Sequence, residues 1–89
     1  MWFITLVKYR RPLNKADAQK TDQIVKAWAK KGLKVHSVFH TLGHYDSVWT
    51  AEAPDEKTAM QFVQAAGRDV AITQTMVAVP REEVVKWMT

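Results

Sequence analysis

The chain has 89 residues, of which 47% are apolar and none is cysteine. This length predicts one domain over residues 1–89, the apolar content excludes a disordered chain, and the absence of cysteine excludes disulfides and thiolate metal sites. The formal net charge is +4, and nine of the 13 Lys and Arg residues precede Val35. No zinc-finger, helix-turn-helix or RNA-recognition pattern accompanies these basic residues, so we expect a solvated basic surface and no nucleic-acid partner.

The sequence gives no sign of export or membrane insertion. Residues 1–7 are too short for the apolar region of a secretory signal, and they lead directly into Lys8, Arg10 and Arg11. No segment approaches the roughly 18 apolar residues that a membrane span needs. We therefore expect a cytoplasmic protein without a membrane partner.

The first predicted element is a strand over Trp2–Tyr9, which is rich in β-branched and aromatic residues. Its nearly continuous apolar character predicts a central strand that is buried on both faces. A helix is predicted over residues 17–31, because four residues recur there at helical spacing: Thr21, Ile24, Val25 and Trp28. Gly32 is expected to end this helix in the left-handed conformation, with Leu33 folding back onto Trp28.

The middle of the chain predicts a β-hairpin. Its strands cover residues 34–41 and 45–53, and they surround the dipeptide Leu42-Gly43. A tight turn between them needs a residue with positive φ, and Gly43 adopts such a conformation without steric cost. We therefore expect positive φ at Gly43.

The last third of the chain predicts three more elements. A helix over residues 55–66 begins with Asp55 as its N-cap and ends at Gly67. A fourth strand over residues 70–79 follows, and Pro80 precedes a short final helix. The order β-α-β-β-α-β predicts an α+β, ferredoxin-like fold with a four-stranded antiparallel sheet and helices on one face. The opposite face would be bare, so we expect a second copy of the chain to cover it in a homodimer or larger assembly.

The hairpin resembles that of the GYD-domain family over residues 41–46, which read TLGHYD. Residues 4–9 and 73–75 are similar to the family's first and fourth strands, although the family usually carries an acid where Gln74 stands. The positions that give the family its name are held by Gly43, Tyr45 and Asp46. The resemblance implies a dimeric α/β barrel of two ferredoxin-like sheets. It implies no single activity, since related barrels include cofactor-free monooxygenases, haem-handling enzymes, isomerases and amino-acid-sensing modules.

The hairpin register decides where the polar aromatic residues lie. A loop of two or four residues places six residues on one face: His36, Val38, His40, Tyr45, Ser47 and Trp49. A three-residue loop would move the second strand's residues to the other face. We adopt the even loop, because it gathers His36, His40, Tyr45 and Trp49 into a candidate site for a flat organic ligand. The alternative is that these side chains fill a dimer core and hydrogen-bond across it.

Residues of this region could also bind a metal ion or act as a general base. His36 and His40 would lie about 13 Å apart along one strand, which is too far to share one ion within a subunit, so no metal site is predicted. Asp46 is unusual in a strand, and a specific hydrogen bond is expected to hold it. That bond would cap the amides around Gly43; the alternative is a general base paired with His44.

The function predicted from these residues is a small-molecule-binding or regulatory dimeric barrel that needs no cofactor. One alternative is a cofactor-independent monooxygenase or isomerase, with His, Tyr and Asp as the acid–base groups. Another is a purely structural or interaction module. The sequence contains no Gly-rich phosphate loop and no nucleophile motif, which argues against nucleotide and covalent chemistry.

Overall fold

The computed structural model describes all 89 residues. The elements are β1 (Trp2–Tyr9), α1 (Lys15–Ala29), β2 (Lys34–His40), β3 (Ser47–Glu52), α2 (Glu56–Gly67), β4 (Ala71–Ala78) and α3 (Arg81–Trp87). The strands form one antiparallel sheet in the order β2-β3-β1-β4, with β1 and β3 in the centre. The ferredoxin-like prediction is confirmed. None of the helices combines the length and apolar content needed to cross a bilayer.

Helix α1 begins two residues earlier than predicted, because Asn14 and Asp17 form a capping box. The Asn14 side chain accepts a hydrogen bond from the Asp17 N–H at 2.9 Å, and the Asp17 carboxylate accepts one from the Asn14 N–H at 3.0 Å. At the other end, the Leu33 N–H donates to the Trp28 carbonyl at 3.2 Å, and Gly32 has φ of 91°. The predicted Schellman-type ending is confirmed.

Helix α2 has the predicted N-cap and ends at the predicted residue. The Asp55 side chain accepts a hydrogen bond from the Thr58 N–H at 2.8 Å. Gly67 is the last helical residue, and Arg68 takes the positive φ, at 46°. The helix therefore ends at Gly67 as predicted, and the residue after it has the positive φ.

The hydrophobic core lies between the helices and one face of the sheet. Its buried members are Phe3, Leu33, Ala51, Ala53, Ala59 and Phe62. Phe3 is 1% exposed, so its truncation to alanine would cost about 3–5 kcal/mol. Helix α1 has no fully buried residue and packs on this core through Ile24, Val25 and Trp28. The N-terminal half of α1 therefore lies over the sheet without filling the space beneath it.

The other face of the sheet is open. Alternate residues of β1 are half-buried there, so the prediction that β1 is buried on both faces is wrong for a single chain. The apolar residues of this open face are Trp2, Ile4, Leu6, Phe39, Val48, Ile72 and Met76. Helix α3 covers none of the core, and Trp87 on it is 65% exposed.

The β2–β3 hairpin has the predicted even loop. His40 pairs with Ser47, and the Thr41 N–H donates to the Asp46 carbonyl at 2.9 Å, which leaves a four-residue loop over residues 42–45. Gly43 has φ of 105°, as predicted. Tyr45 lies in this loop rather than at the start of the strand.

Candidate functional site

A β-bulge moves one of the four residues that were expected to form one site. The register of β2 against β3 shifts between Val35 and Ser37, so His36 is the extra residue. Its side chain lies on the open face, where it stacks on Trp2 with 4.3 Å between ring centroids and hydrogen-bonds to Glu52 at 2.8 Å. The prediction that His36 lies on the same sheet face as His40 and Trp49 is therefore wrong.

His40 and Trp49 lie on the helix-facing side of the sheet. The His40 ring is 6.3 Å from the ring of Tyr9, and the Trp49 ring is 6.3 Å from that of Phe62. The Trp49 indole Nε1–H donates to the Ser47 hydroxyl at 3.3 Å, and the same hydroxyl is 3.1 Å from the Tyr9 hydroxyl. Ser47 is fully buried, so this hydrogen-bonded chain fixes two aromatic side chains on the helix-facing side of the sheet.

These two aromatic side chains line a cavity of about 60 Å³ between the sheet and the helices. Eleven of its 17 lining residues are hydrophobic. Its lining also includes hydroxyl groups from the sheet and from α1, on Thr5, Tyr9, Thr21 and Thr73. The cavity is therefore mainly apolar with a few fixed polar groups, which is the composition typical of small-molecule sites.

Arg68 is an unusual member of this lining, because part of its guanidinium has no hydrogen-bond partner. Its Nε and Nη2 atoms are buried and have no hydrogen-bond partner, although the residue lines the cavity. Buried charged groups are normally paired or hydrogen-bonded, because the loss of hydration is costly. No sequence pattern identified Arg68 as a functional residue, since a single Arg after a helix is ordinary surface composition.

Asp17, the one carboxylate in the cavity lining, is already fully engaged. The Arg11 guanidinium binds it in a bidentate manner, at 2.7 and 3.0 Å, and the Asn14 N–H donates to it. The hydrogen bonds from Arg11, together with the Asn14 amide, hold the pKa of Asp17 well below its usual range. A carboxylate with such a low pKa is a weak general base.

The similarity to a known protein family extends over almost the whole chain. A family model of the GYD domain matches residues 3–88. The chain belongs to the GYD-domain family. None of the curated proteins searched matches it.

Several solved structures resemble this GYD domain, and two of them are described below. The crystal structure of PH0061 superimposes with a TM-score of 0.61 and 20% identity, over 90% of this chain and 52% of that chain. The GYD domain therefore spans about half the length of that protein. The crystal structure of muconolactone isomerase superimposes with a TM-score of 0.54 and 13% identity, over 91% of each chain. At such identities the likeness shows the fold alone.

Two residues of the GYD motif, Tyr45 and Asp46, bind strands outside the hairpin. The Tyr45 hydroxyl donates to the Gln74 side chain at 2.8 Å. Gln74 pairs with Leu6 on the open face, so the prediction that Tyr45 shares a face with His40 and Trp49 is wrong. The Asp46 carboxylate accepts from the Tyr9 N–H at 2.7 Å. The expectation that Asp46 caps amides around Gly43 is therefore wrong: the carboxylate binds the end of β1 instead, and no hydrogen bond joins it to His44.

Proposed function

We propose that this GYD domain is a small-molecule-binding protein and that its ligand occupies the cavity between the sheet and the helices. The observation that carries the proposal is the apolar cavity around Trp49 and Tyr9, whose polar groups are positioned by a buried hydrogen-bonded chain. Preorganised polar groups in an apolar cavity favour binding, because the protein need not order them when the ligand arrives.

The cavity limits the size of the ligand. A water-sized position needs roughly 10–15 Å³, so about 60 Å³ holds around four to six non-hydrogen atoms. A larger ligand would extend through the cavity mouth or displace α1, which has no fully buried residue to hold it in place. Small organic compounds with a short apolar chain match this volume and this lining.

Binding is better supported than acid–base catalysis. The only carboxylate in the lining, Asp17, has its oxygens occupied, and no histidine lines the cavity. His40 is close to Tyr9 but outside the lining. The monooxygenase or isomerase alternative requires a proton acceptor beside the ligand, and the cavity offers only hydroxyl groups for that role.

We also propose that the open face binds a second copy of the chain. The accessible surface is 6387 Å², whereas a compact monomer of this mass exposes about 5,300 Å². The excess of about 1,100 Å² is similar to the roughly 800 Å² that each partner buries in a standard interface. Phe39 and Ile72, which are 65% and 55% exposed, lie on this face and would be covered.

The binding proposal is tested by NMR of the ¹⁵N-labelled protein with two small compounds, propionate and propionamide. The indole Nε1–H of Trp49 lies beside the cavity and should shift in a saturable way with at least one compound. Trp87, on α3, provides an internal control whose indole signal should not move. A Trp49→Phe variant assigns the signal. If neither compound shifts the Trp49 signal, the proposed function is wrong.

A further inference from the structure

We propose that the guanidinium of Arg68 binds the carboxylate of a small organic acid, and that such acids are the ligand class of the cavity. This inference rests on the proposed function, since it names the chemical class of ligand for the same cavity. It is carried by the two guanidinium nitrogens of Arg68 that are buried without a partner. Every other buried side-chain nitrogen or oxygen in the chain has a partner, so Arg68 is the exception that needs an explanation.

The identity of the two unpaired atoms favours a carboxylate. Nε and Nη2 lie on the same edge of the planar guanidinium, so their N–H bonds run nearly parallel. Both atoms have almost no accessible surface, so the guanidinium must turn toward the cavity to meet a ligand. The two oxygens of a carboxylate can then accept from this edge simultaneously, which gives a charge-assisted bidentate pair. A neutral amide offers only one acceptor to this edge, and an alcohol offers one without charge.

Arg68 makes no ion pair with the carboxylates around it. Asp17, on α1, faces Arg68 closely enough to interact with its charge, but no ion pair forms between them. Arg11 already neutralises Asp17 through two hydrogen bonds. Asp69, the neighbour of Arg68 in sequence, is exposed and makes no ion pair. No carboxylate of the chain is therefore bound directly to the Arg68 guanidinium.

The backbone at Arg68 supports the same conclusion. Its φ of 46° lies in a region that residues with a side chain rarely occupy, whereas Gly67, one position earlier, is helical. A Cβ on Gly67 would meet Thr73 at an ordinary 3.6 Å, so the helix does not need a glycine there. Strained residues that carry polar side chains concentrate at ligand sites. The positive φ at Arg68 therefore coincides with its place in the cavity lining.

The inference is tested by comparing propionate with propionamide, which have the same shape, at pH 7. We expect the parent to bind propionate about tenfold or more tightly than propionamide, because a hydrogen bond to a charged group contributes more than a neutral one. Arg68→Gln should abolish this preference, and Arg68→Lys, which retains the charge without the bidentate edge, should reduce it. Arg81→Gln, which removes an exposed arginine of α3, should leave the preference unchanged.

The outcomes separate the inference from the function it rests on. Equal affinity of the parent for the two compounds, with the Trp49 signal shifted by both, would overturn the role of Arg68 and leave the cavity as a binding site for neutral molecules. Preference for propionate that survives in Arg68→Gln would also overturn it. If Arg68→Gln does not fold, the inference is tested by the NMR signal of the Arg68 Nε–H in the parent protein. This signal should shift with propionate and not with propionamide. Buried water on Arg68 would leave that signal unmoved by both.

Discussion

The carboxylate of Asp46 accepts a hydrogen bond from the backbone N–H of Tyr9 at 2.7 Å. Regular β1–β3 pairing ends at Val7 and Ser47. Beyond this pair, the Asp46 side chain provides the acceptor for the next β1 amide that is bound. Asp46 therefore fixes the end of β1, from which the Tyr9 ring lines the cavity. This contact gives one residue of the GYD motif a physical role in both the hairpin and the candidate site.

Replacing Asp46 with alanine should destabilise the protein by about 1–2 kcal/mol, because the partly buried Tyr9 N–H loses a charge-assisted partner. Asp46→Asn retains one acceptor oxygen and should cost less. Urea denaturation measures both values. Asp22→Ala removes an exposed aspartate of α1 and should change the free energy of unfolding by less than about 0.5 kcal/mol. Equal stability of Asp46→Ala and the parent would show that the contact contributes nothing.

Gly43 should resist replacement because of its backbone conformation alone. A Cβ there would meet nothing within 4 Å, so the only cost is the φ of 105°. Gly43→Val should destabilise the protein by more than about 1 kcal/mol, and Gly43→Asn by less, since asparagine tolerates positive φ better. Thermal unfolding provides the comparison. Identical melting temperatures for the valine and asparagine variants would contradict this account of the turn.

The Arg11–Asp17 pair should make part of the stability depend on pH. The folded-state pKa of Asp17 is lower than its unfolded value, so the stabilisation is present above about pH 4 and is lost as the pH falls further. Arg11→Gln should therefore lower the melting temperature at pH 7 and flatten its decline on acidification. The neighbouring variant Arg10→Gln, which removes an exposed arginine without an ion pair, should decline in parallel with the parent. Parallel curves for all three proteins would refute the role of the pair.

A charged residue introduced into the open face should prevent the second copy of the chain from binding there. Met76 on that face is 40% exposed, and Met60 on α2 is 62% exposed. We expect Met76→Lys to convert a dimer into a monomer, because a lysine buried between two sheets has no partner. Met60→Lys should sediment as the parent does. A parent protein with the mass of one chain at micromolar concentration would contradict the proposed dimer.

Sequence patterns predicted the bounds of elements that are set by residues close together in the sequence. The β-branched and aromatic run predicted the bounds of β1 correctly, and Asp55 predicted the start of α2 because an N-cap acts within four residues. The start of α1 was missed because Asn14 and Asp17 form a capping box with an uncommon residue pair. Each of these results follows from contacts between neighbours in sequence.

The candidate site was less predictable because it depends on contacts between distant residues. One bulge moved His36 to the opposite face, and no periodicity within β2 signals an extra residue that only pairing with β3 reveals. Arg68 was missed because its significance is the absence of a partner in three dimensions. No sequence signal indicates that Arg68, and not Gly67, takes the positive φ after α2.

The cavity as ligand site is tested most directly by intermolecular NOEs between propionate and methyl groups of the protein. The account predicts NOEs from the propionate methyl group to Val63, Ala66 and Thr21, which line the cavity. The methyl groups of Met76 and Ile72 on the open face should show none. NOEs confined to those two residues, or the absence of any NOE at saturating propionate, would contradict the central claim.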